Sequence, residues 1–243
     1  MKVHLAIAVS FLFASASYAA GASWGYEGEG APERWGELSP EFSACSKGVN
    51  QSPINIKGAV KANLPPLKLR LAAGAQKIVN NGHTVQVSVS QGNVLTLDGE
   101  DFELQQFHFH TSSENQINGQ SFPVEAHFVY KNKDGQLAVV GLMFKEGKEN
   151  LPLASAWSVL PAEQGEPAEL AKPVDLASLL PKKRTYYRFS GSLTTPPCSE
   201  GVRWLVLEEM SSISKEQVEK LAAAVHRNNA RPVQPLNGRL IVR

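Results

Sequence analysis

The sequence predicts a mainly β, α+β fold: one domain on a mostly antiparallel central sheet, with a few short peripheral helices. Two observations carry that expectation. Short apolar alternations recur from about residue 76 to 145, divided by turn signals, and only two later segments show helical periodicity. "TVQVSVS" alternates strictly and puts Val85, Val87 and Val89 on one face. "QGN", Asp98-Gly99, Asn118-Gly119 and Asp134-Gly135 separate the runs, and such pairs favour tight hairpin turns, so consecutive strands form an antiparallel meander. "ENLPLASAWSVL" reads as a short amphipathic helix. "SKEQVEKLAAAVHRN" reads as a second, with Ser214 and Gln217 as a capping box and Val218, Leu221, Ala222 and Val225 on one face. Residues 161–182, rich in Pro and Glu, read as an irregular connection, and "GASWGYEGEGAPERWGELSPEF" as an ordered arm.

Composition narrows the function classes. The 243 residues carry 24 Lys+Arg against 23 Asp+Glu, which gives no electrostatic reason to expect nucleic acid or an anionic membrane as partner. A hydrophobic content of 42% suits an ordinary globular core. Lys2, the apolar "LAIAVSFLFASA" and the small residues of "SYAA" form an export signal over residues 1–20, leaving 21–243 as the single domain. The apolar run is too short for a comfortable membrane span, and no cysteine stands near the cleavage region to carry a lipid. The expected destination is the periplasm or the exterior, without a stable membrane anchor; a retained anchor is the alternative. In an oxidising compartment Cys45 and Cys198, the two cysteines of the chain, either bridge or stay as two separate buried thiols.

The chemistry concentrates in "QQFHFHTSSE". On a strand, residues two apart point the same way, so Gln106, His108 and His110 share one face and Phe107 and Phe109 the other. The phenylalanines suit a core; the opposite row of nitrogen-bearing side chains does not, because unpaired buried polar groups are costly. "FPVEAHFVYKN" adds His127, with Glu125 two residues before it. Three imidazoles from neighbouring strands can converge on Zn²⁺ and leave a fourth position for water, with Gln106 and Glu125 placed to receive their outer N–H groups. Other histidines have plainer readings: His83 as a solvated turn residue after "VNNG", His226 as a helix C-terminal cap or surface group. Thr194 in "LTTPP" reads by itself as a turn residue, and Glu114 as a surface acid.

Taken together, "SWGYEG", "NQSPINI", "VNNGHTVQV", "QFHFH", "SEN", "EAHFV", "GSLTTPPCSEGVRW" and "NNARPVQPLNGR" resemble, in order, the α-class carbonic anhydrases, from Trp24 nearly to Arg243. The resemblance implies a large twisted sheet with a conical cleft, and reversible hydration of carbon dioxide to bicarbonate and a proton by zinc-bound hydroxide. It implies one Zn²⁺ on His108, His110 and His127, with Gln106, Glu125 and the backbone carbonyl of Asn229 as outer partners. Thr194 and Glu114 would orient the hydroxide, and His83 would shuttle the proton past Tyr26, Asn81 and Gln86, which hold the water chain. Val129, Val139, Leu193, Val202 and Trp204 would receive carbon dioxide, and Cys45 and Cys198 match the disulfide of secreted members. Exported bacterial members suggest a homodimer. There are departures: Gln86 replaces the Asn of many animal members, which bears on the water network; Thr111 replaces a Trp, and the loop from Thr111 to Glu114 is shorter, which bears on cleft shape and not on the metal chemistry. A binding module without catalysis and an ester hydrolase are the competing readings; intact ligands weigh against the first, and the lack of an H-E-x-x-H motif against a dedicated peptidase.

Overall fold

The computed structural model describes residues 22–72, 74–226 and 228–243; the expected export signal lies outside them. The first strands along the chain are β1 (Asn55–Ile56), β2 (Lys68–Arg70), β3 (Ala75–Asn80), β4 (Val85–Val89), β5 (Val94–Leu97) and β6 (Glu100–His110). Then come β7 (Gln116–Ile117), β8 (Val124–Lys131), β9 (Leu137–Glu146), β10 (Ala168–Val174), β11 (Tyr186–Ser192), β12 (Glu200–Leu207) and β13 (Ser211–Ile213). The α-helices are α1 (Trp35–Leu38), α2 (Ala44–Lys47), α3 (Leu151–Ser158), α4 (Leu176–Leu179) and α5 (Lys215–Ala224).

Eleven strands form one sheet with the path β10-β3-β4-β6-β8-β9-β12-β11, while β2, β5 and β13 pair off it. The expected meander is its centre: β3, β4, β6, β8 and β9 are antiparallel neighbours. Beyond β9 the sheet becomes mixed, because β12 and β13 both pair with β9 in parallel. Residues 161–182 depart from the expected irregular connection. They contain edge strand β10, paired with β3, and α4, whose first turn is capped by the Asp175 carboxylate. The Pro and Glu content that suggested a loop suits an edge strand, which needs ladder hydrogen bonds on one side only.

The two-residue period of the strands divides the molecule into layers. Phe107 and Phe109 of β6, Ala126, Phe128 and Tyr130 of β8, Val140 and Leu142 of β9, and Leu205 of β12 point into the larger core. The intervening residues point the other way, where Val139, Met143, Val202, Trp204 and Val206 make a second, smaller core. The larger core is closed by α3 and α5, joined where Trp157 Nε1 donates to Gln217 O at 2.8 Å. Helix α5 has the expected capping box at Ser214 and Gln217, and it buries Gln217, Leu221 and Ala224, with Val225 buried just past its end. The N-terminal arm is ordered as expected. Buried Trp35 donates its indole N–H to Gly25 O and Gly30 O, and packs against the Cys45–Cys198 disulfide.

Candidate metal centre

His108 and His127 face each other across the β6–β8 ladder, and His110 follows two residues along β6. Phe107 and Phe109 anchor β6 in the larger core, which obliges the imidazoles to the opposite face. Each outer nitrogen has an oxygen close by, hydrogen-bonded at His108 and His110 and in ion-pair range at His127. His108 Nδ1 lies 2.9 Å from Gln106 Oε1, His110 Nδ1 lies 2.8 Å from Asn229 O, and His127 Nε2 lies 3.0 Å from Glu125 Oε1. That leaves Nε2 of His108, Nε2 of His110 and Nδ1 of His127 facing inward, and the three ligand atoms fall within 4.8 Å of one another.

The electrostatics suit metal ligation. Burial holds all three imidazole pKa values below the ordinary range, with mutual repulsion adding to the effect at His108 and His127. Neutral rings are the form that binds a metal. His110 Nε2 is buried without a hydrogen-bond partner, as is Glu114 Oε2, 3.4 Å away. Buried polar atoms left unmatched in this way fit a site completed by a cation.

The acids behind the tripod are held firmly. Glu125 accepts from Glu114 N, Asn115 N and Asn115 Nδ2 at 2.8–2.9 Å. Gly141 stands opposite His127 on β9, and a Cβ there would come within 3.0 Å of Glu125 Oε1, so the carboxylate needs the missing side chain. Glu114 Oε1 accepts from Arg231 N at 2.8 Å. Burial pushes the Glu114 carboxyl up to about 8, against the opposing pull of the nearby Thr194 hydroxyl; burial also raises Glu125 to about 7. A cation held by the tripod would favour the charged carboxylates.

The structure brings together most of the residues singled out from sequence. A cleft of about 140 Å³ over the tripod is lined by Tyr26, Asn81, His83, Gln86, Gln106, His108 and His110. It is smaller than a 350 Å³ cavity between Lys61, Tyr186 and Arg243, so chemistry rather than volume marks the site. Asn81 Oδ1 is committed to its own turn, accepting from His83 N and Thr84 N. The buried Tyr26 hydroxyl has no partner among the described residues, and burial raises its pKa well above the ordinary range. Val139, Val202 and Trp204 belong to the smaller core, with Val129 and Leu193 packed on it, and the Trp204 ring lies 4.8 Å from that of His127.

Sequence reading missed three contributors. Arg231 is buried, gives its backbone N–H to Glu114 and its guanidinium to Gln51 Oε1, Ser52 O and Cys45 O. Asn115 ties down Glu125, and Trp24 stacks on His83 with ring centroids 3.7 Å apart. All three lie in the quoted stretches "NNARPVQPLNGR", "SEN" and "SWGYEG", but nothing local distinguishes a buried Arg or Asn from a surface one.

Fold and site define a protein that presents a metal-binding histidine tripod on one face of a mixed β-sheet. A profile of eukaryotic-type carbonic anhydrase matches residues 30–243. A carbonic anhydrase of Pectobacterium carotovorum is 54% identical over 241 residues, covering 99% of this chain and 98% of its own. One from Neisseria gonorrhoeae is 48% identical, covering 95% and 91%. The structure of the α-carbonic anhydrase of Thermovibrio ammonificans with the inhibitor sulfanilamide superposes with a TM-score of 0.90 at 49% identity, covering 92% of this chain and all of that one. The chain belongs to the carbonic anhydrase family and is an enzyme of that family.

Proposed function

We propose that this carbonic anhydrase is a zinc enzyme that hydrates carbon dioxide to bicarbonate and exports the proton through His83. The reading rests on one observation: the half-buried His108 and the buried His110 and His127 turn one nitrogen each toward a common point, while each ring's other nitrogen lies within 3.0 Å of an oxygen. His108, His110 and His127 would hold Zn²⁺, which supplies a Lewis acid that makes a water nucleophilic near neutral pH, as the general behaviour of carbonic anhydrase zinc illustrates. Three neutral ligands leave the ion its full charge, which suits that task better than thiolates.

The protein groups then do the rest. Thr194, donating to ionised Glu114, keeps only acceptor capacity for the attacking oxygen and so orients it. The Arg231 backbone N–H fixes Glu114 from behind. Val129, Val139, Leu193, Val202 and Trp204 offer carbon dioxide an apolar surface from which water is excluded. His83, half-buried and held by burial below its ordinary pKa, accepts the proton at the cleft wall, with Tyr26, Asn81 and Gln86 along the way.

Domain 21–243 as the mature enzyme, export by residues 1–20, a periplasmic or secreted location without a membrane anchor, and a homodimer complete the reading. The Cys45–Cys198 bridge supports an oxidising compartment. No helix among the described residues is long and apolar enough to cross a membrane. The test is stopped-flow hydration with metal analysis. One zinc per chain, activity lost on chelation and restored by zinc, and a fall in kcat for His83→Ala in dilute buffer are expected. Full activity in metal-free protein would end the proposal.

A further inference from the structure

His83 stands in a wall with two sides. On the inner side is the metal cleft; on the outer side is a separate cavity of about 320 Å³, lined among others by Trp24, Tyr26, Glu27, His83, His226 and Asn228. The Trp24 indole covers one face of the His83 ring, with an interplanar angle of 7°. Stacking of that kind covers a face and leaves the ring edge, where both nitrogens lie, free for exchange. Among the described residues neither nitrogen is tied to a protein group, whereas the backbone is fixed: Asn229 Nδ2 donates to His83 O and Asn81 Oδ1 accepts from His83 N.

We propose that His226 is a second proton acceptor, taking from His83, across the outer cavity, the proton that has left the metal cleft. Helix α5 ends at Ala224, and His226 adopts a left-handed backbone with φ of 55°, which turns the chain out of the helix beside the cavity. His226 is exposed, as a group that must release protons to solvent has to be. Glu27, from the N-terminal arm, is the carboxylate among the cavity's lining residues. A ring nitrogen of His83 imidazolium loses its proton to solvent in the cavity, and the unprotonated ring nitrogen of His226 binds it. His226 then releases it to a base in bulk solution; no electrons move.

The inference rests on His83 as the first acceptor, so the experiment separates the two. Hydration kcat and kcat/KM are measured in dilute, weakly buffering solution and in concentrated imidazole for His226→Asn, His83→Ala and the double variant. Asparagine tolerates the left-handed backbone, and an unchanged kcat/KM reports an intact fold and hydration step. His226→Asn is expected to lower kcat several-fold in dilute buffer, to recover in imidazole, and to add nothing to His83→Ala. A normal kcat in His226→Asn beside a slowed His83→Ala overturns the relay. So does a loss that imidazole does not restore, or one that adds fully in the double variant. A normal kcat in His83→Ala itself overturns the shuttle reading and the relay with it.

Discussion

Gln106 Oε1 and its neighbours decide how each imidazole presents itself. Gln106→Leu keeps the shape but removes the acceptor from His108 Nδ1, and metal affinity is expected to fall about 10- to 100-fold, read by competition with a chelator dye. An unchanged affinity would mean that packing alone orients the ring. The site acids give a pH prediction for metal-free protein. Folding carries Glu114 from an ordinary 4.5 to about 8 and Glu125 to about 7, so the folded chain retains protons that the unfolded chain has released. Stability therefore falls as pH rises through that window. The tripod histidines act with opposite sign: their pKa values are lowered, so their contribution is present above their ordinary 6.5 and is lost as pH falls below it. Between about pH 6.5 and 8 the carboxyls act alone. Thermal melts of chelated protein should drop across that interval, and Glu114→Gln should flatten the drop; a rising melting temperature would refute the assignment.

Strand β9 shows how an element serves a site it does not ligate. Gly141 makes room for the Glu125 carboxylate that faces His127, and Val206 crowds the same spot at 3.3 Å. Gly141→Ala is expected to displace that carboxylate, weakening metal binding by about tenfold, with far-ultraviolet circular dichroism unchanged. Retained affinity would show that the carboxylate has slack. The strands themselves were readable from sequence because alternation is a local property: Val85, Val87, Phe107 and Phe109 declare their face within a few residues. Edge strand β10 was not, since "AELAKPV" owes its strand to pairing with β3 rather than to its own pattern. The parallel placement of β12 beside β9 was equally invisible, being a matter of partners distant in the chain.

At the scale of the molecule, the same distinction separates what the sequence disclosed about the site from what it did not. The His108–His110 pair, Gln106 beside His108 and Glu125 beside His127 are legible because each relation spans two residues on one strand, and a hairpin signal suffices to bring His127 alongside. Arg231, Asn115 and the Trp24–His83 stack depend on tertiary approach and leave no local trace. The Cys45–Cys198 bridge closes a separation of 153 residues and joins the N-terminal arm to the segment after Thr194. In the chain-entropy description such a loop is worth at most about 5 kcal/mol. Cys45→Ser with Cys198→Ser should lower the urea midpoint by a large fraction of the total, and an unchanged midpoint would show that burial alone holds the arm.

The pairing of His108 with His127 across two strands whose reverse sides carry Phe107 and Phe128 has a further consequence. A slip of one residue between β6 and β8 would turn one strand's imidazoles into the oily layer and its phenyl rings toward water. Misaligned chains are thereby both unstable and unable to load the ion. Bound zinc per chain, measured on refolded material, would then count the molecules that found the right alignment.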